Sequence, residues 1–227
     1  MNLKEIAARK AVEYVKEGMV IGLGTGSTAA YAIKALGERV AEGLQIQAIS
    51  TSDASTQLAT QLGIELQSFE DEPVLDLTID GADEVDPNLN LIKGLGGALL
   101  REKIVAAATT LQIIVVDASK LVNRLGTRSP LPVEIVPFGW PLAQRHLMEQ
   151  GLRAELRMQT AGDEPVVTDN GNFILDCHFP HGIDDAGGTE RRINAIPSVV
   201  ENGLFVGLTD LVIVAEESGN CRIIERT

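Results

Sequence analysis

The chain has 227 residues, 44% hydrophobic and 22% charged, enough for one large domain or for a domain carrying a small inserted one. Its formal net charge of −13 argues against nucleic acid or an anionic membrane as partner, and no apolar run reaches the roughly 20 residues of a bilayer span. Two cysteines, Cys177 and Cys221, build no disulfide framework, so a reducing cytoplasm is the expected location.

The first half alternates between two hydrophobic periods. Residues 2–17 carry charged and apolar side chains at helical spacing, unlike a signal or transit peptide, and Gly18 is the expected stop. MVIGLG (19–24) predicts a buried strand. A helix over 27–43, capped by Ser27 or Thr28, follows it. Strands are predicted at 44–50, 64–69, 74–80 and 112–118, and helices at 53–63 and 97–110. Continuous apolar strands alternating with helices point to a mostly parallel α/β sheet covered on both faces.

Prolines cluster over 129–141, where the pattern changes. A helix over 141–150, a strand at AELRMQ, a hairpin VVT-DNGN-FILDCHF, a helix around TERRINAI and a strand around VENGLF make a split βαβ pattern. Residues 129–202 are therefore expected to form a small α+β domain. LVIVAEE (211–217) rejoins the first sheet, which leaves 1–128 with 203–227 as the large domain.

Several segments carry chemistry at the carboxyl ends of the strands, where open α/β sheets bind ligands. IGLGTGST (21–28) offers an anion the backbone N–H groups and hydroxyls of Thr25, Ser27 and Thr28, or is simply a tight strand–helix turn. It is no dinucleotide fingerprint, because Ser27 stands where the third glycine belongs, and Ser50 and Thr51 stand where a ribose-binding acid is needed. Asp80 and Asp83, in DGADEVD, can hold hydroxyls, bind a metal or cap a turn. Lys93 opens KGLGGALLREK, whose glycines let backbone approach a ligand and whose Glu102 falls in the first turns of a helix, where the dipole favours the ionised form. Lys120 ends DASK on the same edge, whereas Lys4 reads from pattern alone as a solvated charge. Cys177-His178 with His181 is read as structural rather than as a metal site, and three histidines supply no Ser/His/Asp triad.

GLGTGST, SDAST, DGADE, KGLGGALLREK, DASK, PLPVE, VTDNGNFILD and INAIP occur in this order over nearly the whole chain. The set resembles the type A family of ribose-5-phosphate isomerases. The resemblance implies a Rossmann-like domain with an inserted ferredoxin-like one. It implies an enzyme without metal or cofactor that interconverts ribose 5-phosphate and ribulose 5-phosphate through an enediolate in the pentose phosphate pathway, as a homodimer or homotetramer. By matching motif, Glu102 is the general base and Lys93 the cation beside the oxyanion, while Asp80 and Asp83 hold sugar hydroxyls and assist ring opening. Thr25, Gly26, Ser27, Thr28, Gly81, Ala82, Gly94, Leu95, Gly96, Lys120 and Lys4 match substrate-binding positions. Two residues depart from the family pattern: Leu95 replaces one of four glycines after the lysine, and Ser198 replaces a customary glycine.

Two other classes stay open at this point. A non-catalytic sugar-phosphate sensor would carry a DNA-binding segment, for which the acidic chain is expected to have no spare length. A methyltransferase or NAD enzyme would need the ribose acid that the chain lacks.

Overall fold

The computed structural model describes residues 2–160 and 162–226. In chain order the elements are α1 (Leu3–Val12), β1 (Val20–Leu23), α2 (Ser27–Ala41), β2 (Gln47–Ser50), α3 (Asp53–Gln61), β3 (Glu65–Leu66), β4 (Leu75–Asp80), β5 (Glu84–Val85), β6 (Leu91–Ile92) and α4 (Leu99–Ala107). There follow β7 (Thr109–Asp117), β8 (Leu131–Ile135), α5 (Trp140–Glu149), β9 (Arg153–Leu156), β10 (Phe173–His178), α6 (Ala186–Asn194), β11 (Val199–Asn202), β12 (Leu204–Phe205), β13 (Leu211–Ala215) and β14 (Cys221–Glu225). The chain divides into two compact units. One runs to Ala82 and includes Arg101–Leu121 and the segment from Gly207 onward; the other comprises Asp83–Leu100 and Val122–Val206.

The first unit holds a seven-stranded sheet, β14-β13-β7-β4-β1-β2-β3, parallel except for the β13–β14 pair. Helices cover it, and its inner strands are apolar without alternation: all five residues of β13 are buried. The core joins Ile21, Leu23, Leu77, Ile79, Ile113 and Ile213 to helix side chains such as Ile33 and Leu36, each worth about 1.5–3 kcal/mol when fully buried. α1 contributes Ala7, Ala8 and Ala11, small residues that bring its backbone close to the sheet. α1 is shorter than its periodicity predicts. The Arg39 guanidinium takes the Val12 and Val15 carbonyls at 2.7 and 3.0 Å, and those acceptors end the helix before Gly18.

The second unit holds two sheets. β8-α5-β9-β10-α6-β11 builds an antiparallel sheet in the order β11-β8-β10-β9, the ferredoxin-like βαββαβ arrangement. β12-β6-β5 forms a small antiparallel sheet. The fold class is thus α/β, a Rossmann-like mostly parallel sheet with an inserted small α+β domain.

Three expectations of detail change. VENGLF is not one strand: Gly203 lets the chain leave β11 for β12, and a Cβ there would lie 2.2 Å from the Lys93 carbonyl oxygen. The Asn170-Gly171 turn forms, with Thr168 N–H donating to the Asn172 carbonyl at 2.8 Å, but Val166–Thr168 adds no strand. Instead Thr168, Asn170 and Asn172 all donate to Glu134 Oε1 on β8. Finally, α4 stops at Ala107 because Thr109 begins β7 and its hydroxyl takes the Val105 carbonyl at 2.6 Å.

Candidate active site

Parallel strands put their carboxyl ends on one edge, and in the first unit that edge gathers most of the residues singled out from sequence. Asp80, last in β4 and 1% exposed, is fixed by backbone: its Oδ1 accepts from Thr25 N–H at 3.1 Å and Gly81 N–H at 2.7 Å. This approach requires the glycine at 24, since a Cβ there would sit 2.2 Å from Asp80 Oδ1. The Thr25 hydroxyl is engaged inward with Thr51 and Ser52, at 2.7 and 2.8 Å, so both of its donors brace the loop.

Neither Ser27 nor Thr28 caps α2. Gly26 is the N-cap, at φ 95°, and no side chain caps the helix. The Ser27 hydroxyl instead accepts from Lys4 Nζ at 2.8 Å, which brings Lys4 to the glycine loop against its reading as a solvated charge. Beyond β7, Asp117 caps a short 3₁₀ turn that ends in Lys120, accepting from Ser119 N–H at 2.9 Å. Partial burial pushes the Asp117 carboxyl up. The Ser119 hydroxyl and N–H, with the charges of Lys120 and Lys4, outweigh burial and hold it below the usual carboxylate range. Two lysines and an uncapped helix N-terminus make this corner of the unit a natural seat for an anion.

Glu102 lies in the first turn of α4 and is 5% exposed; Lys103 beside it is also buried. The preceding Arg101 pairs with Asp53, first residue of α3, at 2.8 Å, which sets the start of α4 on the same edge. Val105 one turn on packs so closely on β1 that a Cβ at Gly22 would come within 2.7 Å of it.

In the second unit, Asp83 begins a turn of chain whose N–H bonds the Ile92 carbonyl at 2.8 Å. Asp83 Oδ2 accepts the Leu95 N–H at 3.0 Å. Lys93 is 2% exposed. Its N–H bonds the Gly203 carbonyl at 2.9 Å and its ammonium lies 5.5 Å from the centre of the Phe205 ring, a cation–π contact. Gly94 and Gly97 have φ of 101° and 85°, and a Cβ at Gly94 would meet Leu99 at 2.8 Å. Leu95 has no positive φ and its side chain is 41% exposed, so the position glycine usually fills admits leucine without strain. Gly96 is exposed.

Residues 47–219 match the family model described as ribose 5-phosphate isomerase A (phosphoriboisomerase A). The chain belongs to the ribose 5-phosphate isomerase A family. It is 53% identical to ribose-5-phosphate isomerase A of Gloeobacter violaceus over 218 residues, 96% of this chain and 94% of that one. The solved ribose 5-phosphate isomerase A of Methanocaldococcus jannaschii is 43% identical, covers 98% of both chains and superposes with a TM-score of 0.93. A D-ribose-5-phosphate isomerase in complex with phospho-erythronic acid is 44% identical over the whole of both chains, with a TM-score of 0.96. The chain is accordingly an aldose–ketose isomerase.

Other polar groups of the isomerase serve the scaffold. Cys177 and His178 are consecutive on β10 and so face opposite sides of its sheet. Burial, with Asp176 adjacent, pushes the Cys177 thiol up to about 12, which suits neither a nucleophile nor a metal ligand. His178 Nε2 lies 3.5 Å from Glu155 on β9. Among the described residues no three His, Cys, Asp or Glu side chains cluster as a metal site would need. Sequence reasoning overlooked Glu84, Gly203 and Arg157. Glu84 is fully buried and accepts from the N–H groups of Gly126, Arg128 and Ser129 at 2.6–2.7 Å. Its partners lie more than 40 residues away, so no local pattern marks it.

Proposed function

We propose that the isomerase, which interconverts ribose 5-phosphate and ribulose 5-phosphate, does so by proton transfer through an enediolate, with Glu102 as the general base. In the aldose-to-ketose direction, Glu102 takes the proton from C2 as the C1 carbonyl accepts the electron pair. It then returns the proton to C1 as the C2 hydroxyl proton passes to O1 and the carbonyl reforms at C2. A carboxylate can shuttle the proton within one site, a task worth about 10²–10⁴ in rate. The observation that carries this reading is a carboxylate buried in the first turn of a helix at the carboxyl edge of the sheet.

Lys93 stabilises the oxygen that gains charge. Asp80 and Asp83 hold sugar hydroxyls and assist opening of the furanose, helped by the neighbouring Gly81 and Ala82. Gly26, Ser27 and Thr28, with Lys4 and Lys120, take the phosphate; Thr25 contributes by bracing that loop. Gly94, Leu95 and Gly96 present backbone to the sugar. A phosphorylated sugar acid such as phospho-erythronic acid joins a phosphate to a carboxylate, the charge pattern of a phosphorylated enediolate, and its presence in a relative supports this substrate class. The enzyme would act without metal or cofactor, as a cytoplasmic homodimer or homotetramer of the pentose phosphate pathway. Its inserted domain proper would be 129–202. The test is conversion of ribose 5-phosphate by purified protein in EDTA and deuterated water. Ribulose 5-phosphate carrying solvent deuterium is expected; no conversion, or conversion only with added metal, would contradict the reading.

A further inference from the structure

The loop from Lys93 to Gly97 is held from two sides, and only one of them is part of the chemistry assigned above. On one side, Asp83 Oδ2 receives the Leu95 N–H at 3.0 Å. On the other, the Arg157 guanidinium donates through a single nitrogen, Nη1, to the Gly94 and Leu95 carbonyls at 3.1 and 3.0 Å. The fork is locked in turn: Nε and Nη2 bond the two oxygens of Asp176 on β10 at 2.8 and 2.5 Å, and the pair is largely buried, 15% and 19% exposed. Arg157 directly follows β9, and its own N–H is fixed to the Ile174 carbonyl at 2.9 Å. Guanidinium, carboxylate and sheet therefore form one rigid bracket.

A planar trans peptide points its N–H opposite to its C=O. With the Gly94 carbonyl turned to Arg157, the N–H of the next residue, Leu95, points away from it, and that N–H is the one that meets Asp83. The same rule applied to the Leu95 carbonyl turns the Gly96 N–H to the side of Asp83. Gly94 and Gly97, both at positive φ, leave the loop free to rotate these peptides if nothing holds the carbonyls. The bracket grips main chain alone, which is why a leucine at 95 does not disturb it.

We infer that Arg157, oriented by Asp176, is a positioning residue for the isomerisation: by gripping the Gly94 and Leu95 carbonyls it aims the Gly96 N–H, beside Asp83, at a substrate oxygen. This rests on the reading of the Lys93 loop as part of the active site. Misplacement by about 1 Å can cost on the order of 10² in rate, so the effect belongs in kcat rather than in KM.

Arg157→Ala and Arg157→Lys are assayed on ribose 5-phosphate beside Lys93→Met, with thermal melts of each. Lysine keeps the charge but cannot span Asp176 and two carbonyls together. The inference predicts that both Arg157 variants lose about 10²-fold in kcat with KM changed only a few-fold, and that free guanidinium returns part of the Arg157→Ala loss. If Arg157→Ala does not fold, the kcat of Arg157→Lys decides alone. A folded Arg157 variant with kcat within about twofold of the parent, while Lys93→Met is inactive, overturns the positioning role only. Full activity in Lys93→Met overturns the reading of the loop itself. A fall in melting temperature without loss of kcat reduces Arg157 to a structural residue and also overturns the inference.

Discussion

Lys4 Nζ donates to Ser27 Oγ at 2.8 Å, tying the first turn of α1 to the first turn of α2. The bond places a cation from the beginning of the chain beside the uncapped N-terminus of a helix 23 residues on. If this corner holds the phosphate, Lys4→Ala removes one charge-assisted hydrogen bond, worth about 1.5–3 kcal/mol and so roughly tenfold or more in affinity. KM for ribose 5-phosphate should rise by about that factor with kcat little changed. Steady-state kinetics at low salt checks it; an unaltered KM removes Lys4 from the phosphate site.

Glu84 shows how a residue next to Asp83 can matter without touching substrate. Glu84 is itself fully buried, and both its oxygens are occupied by backbone N–H groups of Gly126, Arg128 and Ser129. Glu84→Ala takes away the acceptor of three backbone donors, of which the Gly126 N–H is buried, and leaving that group unsatisfied should cost about 1–3 kcal/mol. Urea unfolding measures it. A loss below about 1 kcal/mol would mean that the loop finds other acceptors.

Ser198 sits at φ 80°, in the left-handed region that glycine tolerates best. Its hydroxyl recovers little, a 3.2 Å bond to the Gly139 carbonyl. Ser198→Gly relieves about 1–2 kcal/mol of backbone strain and costs about 0.5–1 kcal/mol in unfolded-chain entropy, so the variant should be slightly more stable. A calorimetric melting temperature above that of the parent is expected; a lower one would show the hydroxyl bond to outweigh the strain.

The Cys177 thiol, raised from an ordinary 9.0 to about 12 by burial, should resist alkylation at pH 8 until the chain unfolds. The folded state favours the neutral thiol, so this contribution to stability is complete below about pH 9. It is lost as the pH rises from there toward about 12, because the unfolded chain releases its proton first. Mass-spectrometric mapping of labelled thiols checks the first part; rapid native labelling of Cys177 would place it at the surface.

The inner strands of the large sheet were legible because burial on both faces writes itself as unbroken apolar runs, as in VIGL and LVIVA. β14 was not, since CRIIE is an edge strand with an exposed, half-polar pattern that follows a turn. Glu102 and Asp80 stood out because each lies at a helix start or strand end within a recognisable local motif. Arg157 and Asp176 left none: an arginine after a strand looks like any solvated charge until the fold brings its fork to carbonyls 62 and 63 residues earlier. The cap of α2 was misread for the same reason, because Ser27 beside a helix start predicts a cap and only the structure shows Lys4 holding it instead.

The central claim, that Glu102 carries the proton, is tested most directly by the kcat of Glu102→Gln on ribose 5-phosphate. Glutamine keeps the shape and cannot accept the proton. The account predicts a fall of about 10²–10⁴ in kcat, with KM within a few-fold of the parent and solvent deuterium entering the sugar more slowly by the same factor. A kcat close to that of the parent would contradict it.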